Sequence, residues 1–360
     1  MKKKIAVDMR MLEFSGIGTY LKNVLPLVIK TMENNQFFLL GDEKELSLRF
    51  DSTNVTIVNY EAPIYSLKEM FSLSEFAKKY DLLWIPHINI PILYKGKMVV
   101  TIHDVYHLAH FKQLSLMQKI YTKAIFPLIK KKCKYILTVS EFSKREIVKY
   151  VNIEDKKIAI TYNGVDDIWR NIEDIEVENI TNPYLIYIGN VKPHKNLKNL
   201  IIAFDTIRKK VPYDLIIIGK KDGFITGDEE VIRLSQSMNE RVKFTGYIED
   251  NKLIKIVKNA DAMVFPSYYE GFGLPPLEAM ACGTPVIASN AASIPEVCGD
   301  AALYFNPHDA DDIAKKILAF YSDKQLQSDM REKGFKRSEL FTWERCAEQT
   351  IKVIEEVLTK

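Results

Sequence analysis

What most constrains this chain is a rhythm that runs through it twice. Short β-branched runs alternate with amphipathic helical stretches. In the first half the runs fall at 5–7, 37–40, 55–58, 82–85, 98–102 and 135–139, with helical periodicity over 19–31 and 112–132. After Asn171 the pattern restarts, with runs at 184–188, 214–218, 242–245, 262–264, 285–288 and 302–305 and helical stretches such as 197–210 and 277–281. Strand–helix alternation of this kind gives parallel sheets covered on both faces. Twice over, it predicts an α/β protein of two doubly wound, Rossmann-like domains, whose ligands bind beyond the carboxyl ends of the strands. The length agrees, because 360 residues suit two domains of roughly 150–200 residues better than one core. The acidic, weakly periodic stretch 166–182 is the linker candidate, which places the domains at 1–170 and 171–342 with a substrate cleft between them.

Composition narrows the partners. The formal net charge is only +3, which argues against a dedicated nucleic-acid binder. That total hides an asymmetry: residues 1–170 carry 26 Lys+Arg against 18 Asp+Glu, and residues 171–360 carry 24 against 29. The halves therefore meet different partners. Cys133, Cys282, Cys298 and Cys346 lie far apart with no CxxC pair and read as buried free thiols in a reducing cytoplasm. The apolar run after the first lysines ends at Asp8, and no stretch approaches 18 apolar residues. Neither a signal peptide nor a membrane span is expected.

Four segments offer chemistry. Gly16 and Gly18 follow the first run, but Leu21 stands where a dinucleotide fingerprint needs its third glycine. They read either as a loop needing positive φ or as a loop bringing helix-end amides to an anion. His103-Asp104 closes another run, where a cleft residue sits, and a histidine there can hydrogen-bond a substrate hydroxyl. With His107 and His110 it forms a histidine triplet, but no HExxH pattern supports a metal. Asp166-Asp167 reads as a turn rather than a metal pair. The densest cluster runs from Ser267 to Met280: Gly271 and Gly273 make a loop before a helix that Pro275 and Pro276 can open. Glu270 and Glu278 bracket it, Glu278 being expected in the first helical turn, able to accept hydrogen bonds from a diol. Lys195, on the loop after the 184–188 run, fits a point-charge phosphate clamp.

Taken together these residues resemble a known family. Glu270 to Glu278 matches the Glu-x7-Glu signature of the retaining, nucleotide-sugar-dependent glycosyltransferases of family 4, which have the GT-B fold. The resemblance keeps its order through Gly16/Gly18, Thr101 to Asp104, Val139 to Ser143, Tyr162 to Asp166, Gly189 to Asn196 and Pro266 to Ser289. It implies that Glu278 holds the ribose, and that Glu270 with the backbone of Phe272 and Gly273 holds sugar hydroxyls. It implies that Leu274 and its neighbours, Gly271 among them, offer amides to the diphosphate, over which the Gly16/Gly18 loop closes. Lys195 would neutralise that leaving group, and His103 would contact the sugar near the reacting carbon. The turn after Gly219 and the segment around Tyr247 would flank the base. Asn190 departs from the pattern, since many members carry an arginine there, so the phosphate charge rests on Lys195, amides and Lys192 or His194. The resemblance also implies a C-terminal helix over 343–360 that packs back on the first domain.

The implied chemistry is retention by front-face attack of an acceptor hydroxyl, with no metal or other cofactor. Glu270 and Glu278 have binding duties, which leaves no obvious carboxylate nucleophile. The segments look most like bacterial enzymes of surface-polysaccharide assembly, many of which use GDP-mannose. Rhamnosyl, glucosyl, galactosyl or N-acetylglucosaminyl transfer from a dTDP- or UDP-sugar stays open, as do an epimerase and a non-catalytic nucleotide-sugar-binding subunit. On the acceptor side, seven lysines and no acid lie between Asp104 and Glu141. Lys112, Lys119, Lys123 and Lys130 fall within about 40° of one another on a helix, with Met117, Ile120, Tyr121, Ala124 and Leu128 roughly opposite. That face reads either as solvated lysines over a buried apolar stripe or as a surface for an anionic membrane or a lipid-linked glycan acceptor.

Overall fold

The computed structural model describes residues 2–171, 182–219, 229–236, 238 and 240–359. The chain divides into two compact units, Met1–Gly164 with Thr342–Lys360, and Val165–Phe341. Residues 165–170 belong to the second unit for a local reason. Val165 N–H donates to Phe341 O at 3.2 Å, Trp169 is buried, and Arg170 donates to Ser338 O at 3.1 Å.

The first unit holds a seven-stranded sheet. Its strands are β1 (Lys4–Asp8), β2 (Gln36–Gly41), β3 (Val55–Asn59), β4 (Leu82–Ile85), β5 (Lys97–Ile102), β6 (Tyr135–Thr138) and β7 (Ile158–Ile160). All pair in parallel, in the order β3-β2-β1-β4-β5-β6-β7. The second unit holds six parallel strands: β8 (Tyr184–Ile188), β9 (Asp214–Ile218), β10 (Val242–Gly246), β11 (Ala262–Phe265), β12 (Val286–Ser289) and β13 (Ala302–Phe305). Their order is β10-β9-β8-β11-β12-β13. The expectation of two doubly wound α/β units holds. β4, β9 and β11 are buried at every residue, as strands covered on both faces must be. Among the described strands, β7 is the one the sequence pattern did not suggest.

In each unit the strand order reverses beside the first strand, between β1 and β4 and between β8 and β11. That reversal opens a crevice at the carboxyl ends, where the loops after the two strands face each other. The helix Trp343–Thr359 returns to the first unit and packs its buried face, including Cys346, Ile351, Ile354 and Val357, against the helix Ser15–Thr31 and β5. Lys97 Nζ donates to Leu358 O at 2.9 Å, and Tyr135 Oη donates to Glu356. All four cysteines are free and buried. Burial pushes the Cys133 and Cys298 thiols up to about 12, partly offset by Lys132 and Arg337 respectively, so both stay protonated and inert at neutral pH.

Candidate functional site

The second unit brings its sequence candidates together at the β8/β11 reversal. Lys195 closes the short 3-10 turn Pro193–Lys195 that follows β8, and Glu270 lies on the loop after β11. Lys195 Nζ donates to both Glu270 oxygens, at 2.7 and 2.8 Å. The side chains remain 22% and 12% exposed, so a ligand can reach the pair. Asn196, the last residue of the Gly189 to Asn196 segment, and Ser293, unnoticed in the sequence, hold these loops in register. Asn196, left-handed at φ 57°, donates through Nδ2 to Pro266 O and Pro307 O, at 3.0 and 2.7 Å. Ser293, fully buried, shares its hydroxyl hydrogen between Glu270 O and Phe272 O, at 2.9 and 2.7 Å.

Beyond that loop, Gly271, Phe272 and Gly273 are buried, and Gly273 takes φ 102° to start the helix Leu274–Ala281. Only glycine adopts that angle without strain. The helix begins at Leu274, so Glu278 sits in its second turn rather than the first turn that the sequence suggested. It opens early because prolines suit the first positions, having no N–H to leave unpaired. The same prolines reduce the free amides at the helix start, because only Leu274 and Leu277 of the first four helical residues carry an N–H. Glu278 is half-buried.

The base-flanking candidates also sit at the carboxyl edge. Gly219 follows β9, and an added Cβ there would stand 2.3 Å from Gly189 O, so the residue is glycine to let two backbones touch. The turn after Gly219 lies outside the described residues. Tyr247 follows Gly246 (φ 74°) and is 67% exposed. Asn190 keeps its carbonyl on Tyr187 Oη at 3.3 Å, Lys192 is exposed, and His194 O accepts from Tyr268 N–H at 2.8 Å.

In the first unit the glycine reading changes. Gly16 and Gly18 lie inside the first turn of the helix Ser15–Thr31, and neither has positive φ. Gly18 is small because an added Cβ would meet Leu12 O at 2.1 Å, whereas one at Gly16 would meet open space. His103, just past β5, gives its Nε2–H to Pro86 O at 3.1 Å and lies edge-on to Tyr20 at 5.1 Å. Burial pushes its pKa down to about 4 against the pull of nearby Asp104, so the ring is neutral with Nδ1 as an acceptor. Asp104 accepts from Tyr106 N–H at 2.9 Å and shapes a turn. His110 stacks on Tyr106 instead of joining His103. Asp166 caps the turn Asp167–Trp169, as expected of it.

A cluster the sequence did not suggest occupies the β1/β4 reversal. Asp8 at the end of β1, Glu69 on the helix Leu67–Phe76 and His87 after β4 bring ligand atoms within 4.8 Å of one another, a spacing that suits a metal ion. Arg10 already supplies the cation: its guanidinium donates to Asp8 and Glu69, and to Ala62 O at 2.8 Å. Asn89 N–H donates to His87 Nδ1 at 3.2 Å, leaving the ring hydrogen on Nε2, which faces Asp8 Oδ2 at 3.1 Å. Burial raises the Asp8 carboxyl, but hydrogen bonds from Arg10 and His87 outweigh it and hold the group below the usual carboxylate range.

The lysine-rich stretch differs from its helical-wheel reading. A capping box, Ser115 with Gln118, starts the helix at Leu116, so Lys112 lies in the preceding turn Phe111–Gln113. The buried stripe is Thr122, Ile125, Phe126 and Ile129. Leu116, Met117 and Ile120 are 73%, 75% and 56% exposed. Lys123 and Lys130 are exposed and Lys119 is half-buried.

Two doubly wound units with parallel sheets, each with a reversal crevice, define the GT-B fold. The family model for Glycosyltransferase Family 4 matches residues 36–168, and that for Glycosyl transferases group 1 matches residues 170–337. The chain belongs to this glycosyltransferase family. It is 34% identical over 230 residues to the O-antigen chain mannosyltransferase B of Escherichia coli, covering 61% of this chain and 59% of that one. It is 35% identical over 241 residues to the O-antigen chain mannosyltransferase RfbU of Salmonella typhimurium, covering 66% and 64%. The match thus spans about six-tenths of the length of each relative. Anabaena HepE, solved in complex with UDP and glucose, shares the fold with a TM-score of 0.77 at 17% identity, covering 98% of this chain and 100% of that one.

Proposed function

We propose that this chain moves a hexose from a nucleotide sugar to a hydroxyl of a surface glycan or its lipid-linked precursor, retaining the anomeric configuration without a metal. GDP-mannose is the first donor to test, because the relatives named above are O-antigen mannosyltransferases. The observation that carries the reading is the reachable Lys195–Glu270 pair beside the Leu274 helix start. Lysine neutralises departing phosphate where charge develops, and a carboxylate accepts sugar hydroxyls. Each holds the other until a donor takes both places. His103 Nδ1 accepts from a sugar hydroxyl, and Glu278 from the ribose.

As the acceptor oxygen attacks the anomeric carbon from the leaving-group face, the bond to the diphosphate breaks. The acceptor proton passes to the departing phosphate oxygen. Lys195 and the loop amides supply the positive charge that a metal supplies in other transferases.

No helix among the described residues is long and apolar enough to cross a membrane. The patch of Leu116, Met117 and Ile120, beside Lys112, Lys119 and Lys123, instead favours seating on an anionic bilayer at the cytoplasmic face. There apolar tips enter the interface and each lysine contributes up to about 1 kcal/mol.

Thermal-shift titration against GDP-, UDP- and dTDP-sugars, followed by nucleotide release with acceptor present, tests the donor reading. Stabilisation by GDP-mannose, lost in Lys195→Ala and Glu270→Ala, is the expected result. Turnover at wild-type rates in both variants would sink the assignment. Sedimentation with anionic vesicles should fall on Met117→Ser and at high salt; equal pelleting of wild type and variant removes the membrane from the picture.

A further inference from the structure

The loops bearing Lys195 and Glu270 are tied to a third loop that the functional reading leaves unused. It is the turn 306–309 after β13, a strand separated from β11 by β12. Strand pairing does not force these loops together, so side chains do it. Asn199, in the first turn of the helix Leu197–Ile207, donates through Nδ2 to Tyr268 Oη at 2.9 Å and to Pro307 O at 3.0 Å. His308 stacks on the Tyr268 ring, with centroids 4.6 Å apart and planes 19° from parallel. The backbone N–H of His308 donates to Asn306 Oδ1 at 3.1 Å, which fixes the turn that presents the ring. Tyr268 in turn gives its backbone N–H to His194 O at 2.8 Å.

These contacts land beside the reachable ion pair. His194 precedes Lys195, and Tyr268 stands two residues before Glu270. The helix gives something up for them. Asn196 is its N-cap, where an asparagine oxygen ordinarily accepts from a first-turn N–H, yet its side chain makes no capping bond. Its Nδ2 is committed to Pro266 O and Pro307 O instead. A local rule broken in favour of a tertiary link points to function. Stability is a poor reason for the outer part of this link. His308 is exposed and Tyr268 half-buried, and changes at such surface positions seldom move the unfolding free energy far.

We propose that Asn199, Tyr268 and His308 are positioning residues, clasping the loops after β8, β11 and β13 so that Lys195 and Glu270 meet the donor at a fixed separation. The inference rests on the glycosyltransferase reading and deepens it, because these three act through Lys195 and Glu270. The lysine charge is needed most as the diphosphate departs, so a loosened clasp slows the chemical step more than it weakens donor binding.

The test follows turnover of the full chain with GDP-, UDP- and dTDP-sugars beside a measurement that needs no donor. That second measurement is acylation of Lys195 by acetic anhydride, read by peptide mass spectrometry. Asn199→Ala and His308→Ala should each lower kcat about tenfold, leave the donor KM within about twofold, and keep the wild-type thermal midpoint. His308→Phe, which keeps a flat ring on Tyr268, should restore kcat. Tyr268→Phe keeps the stack but loses the Asn199 bond and should fall between. A lysine held against a carboxylate is shielded, so labelling of Lys195 should rise about twofold to fivefold in both alanine variants, toward the level of Glu270→Gln. Wild-type kcat in either alanine variant, a fall that tracks a lowered thermal midpoint, no rescue by His308→Phe, or flat labelling would each overturn the proposal. The two readings fail separately: a wild type that turns over none of these donors, with labelling still raised in the variants, sinks the glycosyltransferase reading and leaves the clasp in place.

Discussion

The two units place ions at the same topological point and treat them in opposite ways. At the β8/β11 reversal, Lys195 and Glu270 meet as a pair still 22% and 12% exposed. At the β1/β4 reversal, Arg10, Asp8 and Glu69 meet at 5%, 0% and 1%. A reachable pair can trade its partner for a ligand, because water already shares the cost of separating the charges. A sealed one cannot, since removing a partner strands a charge in a medium that solvates it poorly. The same fold position therefore serves exchange in one unit and rigidity in the other.

Removing one cation from each pair gives the largest contrast. Arg10→Ala leaves two buried carboxylates uncompensated and should cost about 3–5 kcal/mol of stability. Urea unfolding followed by tryptophan fluorescence reports it, with Trp84 and Trp343 both in the first unit. Lys195→Ala should stay within about 1 kcal/mol of wild type, as partly exposed pairs do. Its loss falls on turnover instead, by about 100- to 1,000-fold. Equal destabilisation by the two substitutions would erase the distinction.

A middle-sized effect probes how the reachable site is held. Ser293→Ala leaves two loop carbonyls, those of Glu270 and Phe272, without their shared donor. The expected cost is about 1–3 kcal/mol, with donor affinity falling alongside stability. Ser293→Thr, which keeps the hydroxyl, should recover affinity first. A variant with wild-type affinity for GDP-mannose would show that the loop needs no such support.

The reachable site was the legible one. Lys195 and Glu270 follow apolar strands on glycine- and proline-marked loops, so local pattern alone set them at carboxyl ends. The sealed cluster was not legible, because Glu69 and His87 stand 59 and 77 residues from Arg10 and isolated charges read as surface by default. The Asp-x-Arg at the end of β1 was its only local trace. Gly18 was misread for a different reason: its need for smallness comes from Leu12 O in the turn just before its helix, and not from its own φ. The 116–132 helix carries two candidate apolar stripes, and the choice of 122/125/126/129 for the core was made by packing, which leaves Leu116, Met117 and Ile120 outside. β7 has only three residues, too few for periodicity to register.

His103 gives the smallest effect and the finest test, because it combines both behaviours: one nitrogen is committed to Pro86 O, and the other is left to accept. Its folded pKa, down to about 4 mainly through burial, lies below the unfolded value of about 6.5. Between those values the unfolded chain binds a proton that the folded chain refuses, so this residue makes stability rise with pH from 4 to 6.5 and stops contributing above that window. His103→Gln should flatten that part of the stability profile while leaving the rest of the acid limb in place. Activity should behave differently. An Nδ1 acceptor that stays unprotonated predicts a donor KM unchanged between pH 5 and 7.5, since protonation would turn the acceptor into a donor only near pH 4. A KM that climbs with a midpoint near 6.5 would mean that the ring titrates like an exposed histidine, and the sealed half of its character would be wrong.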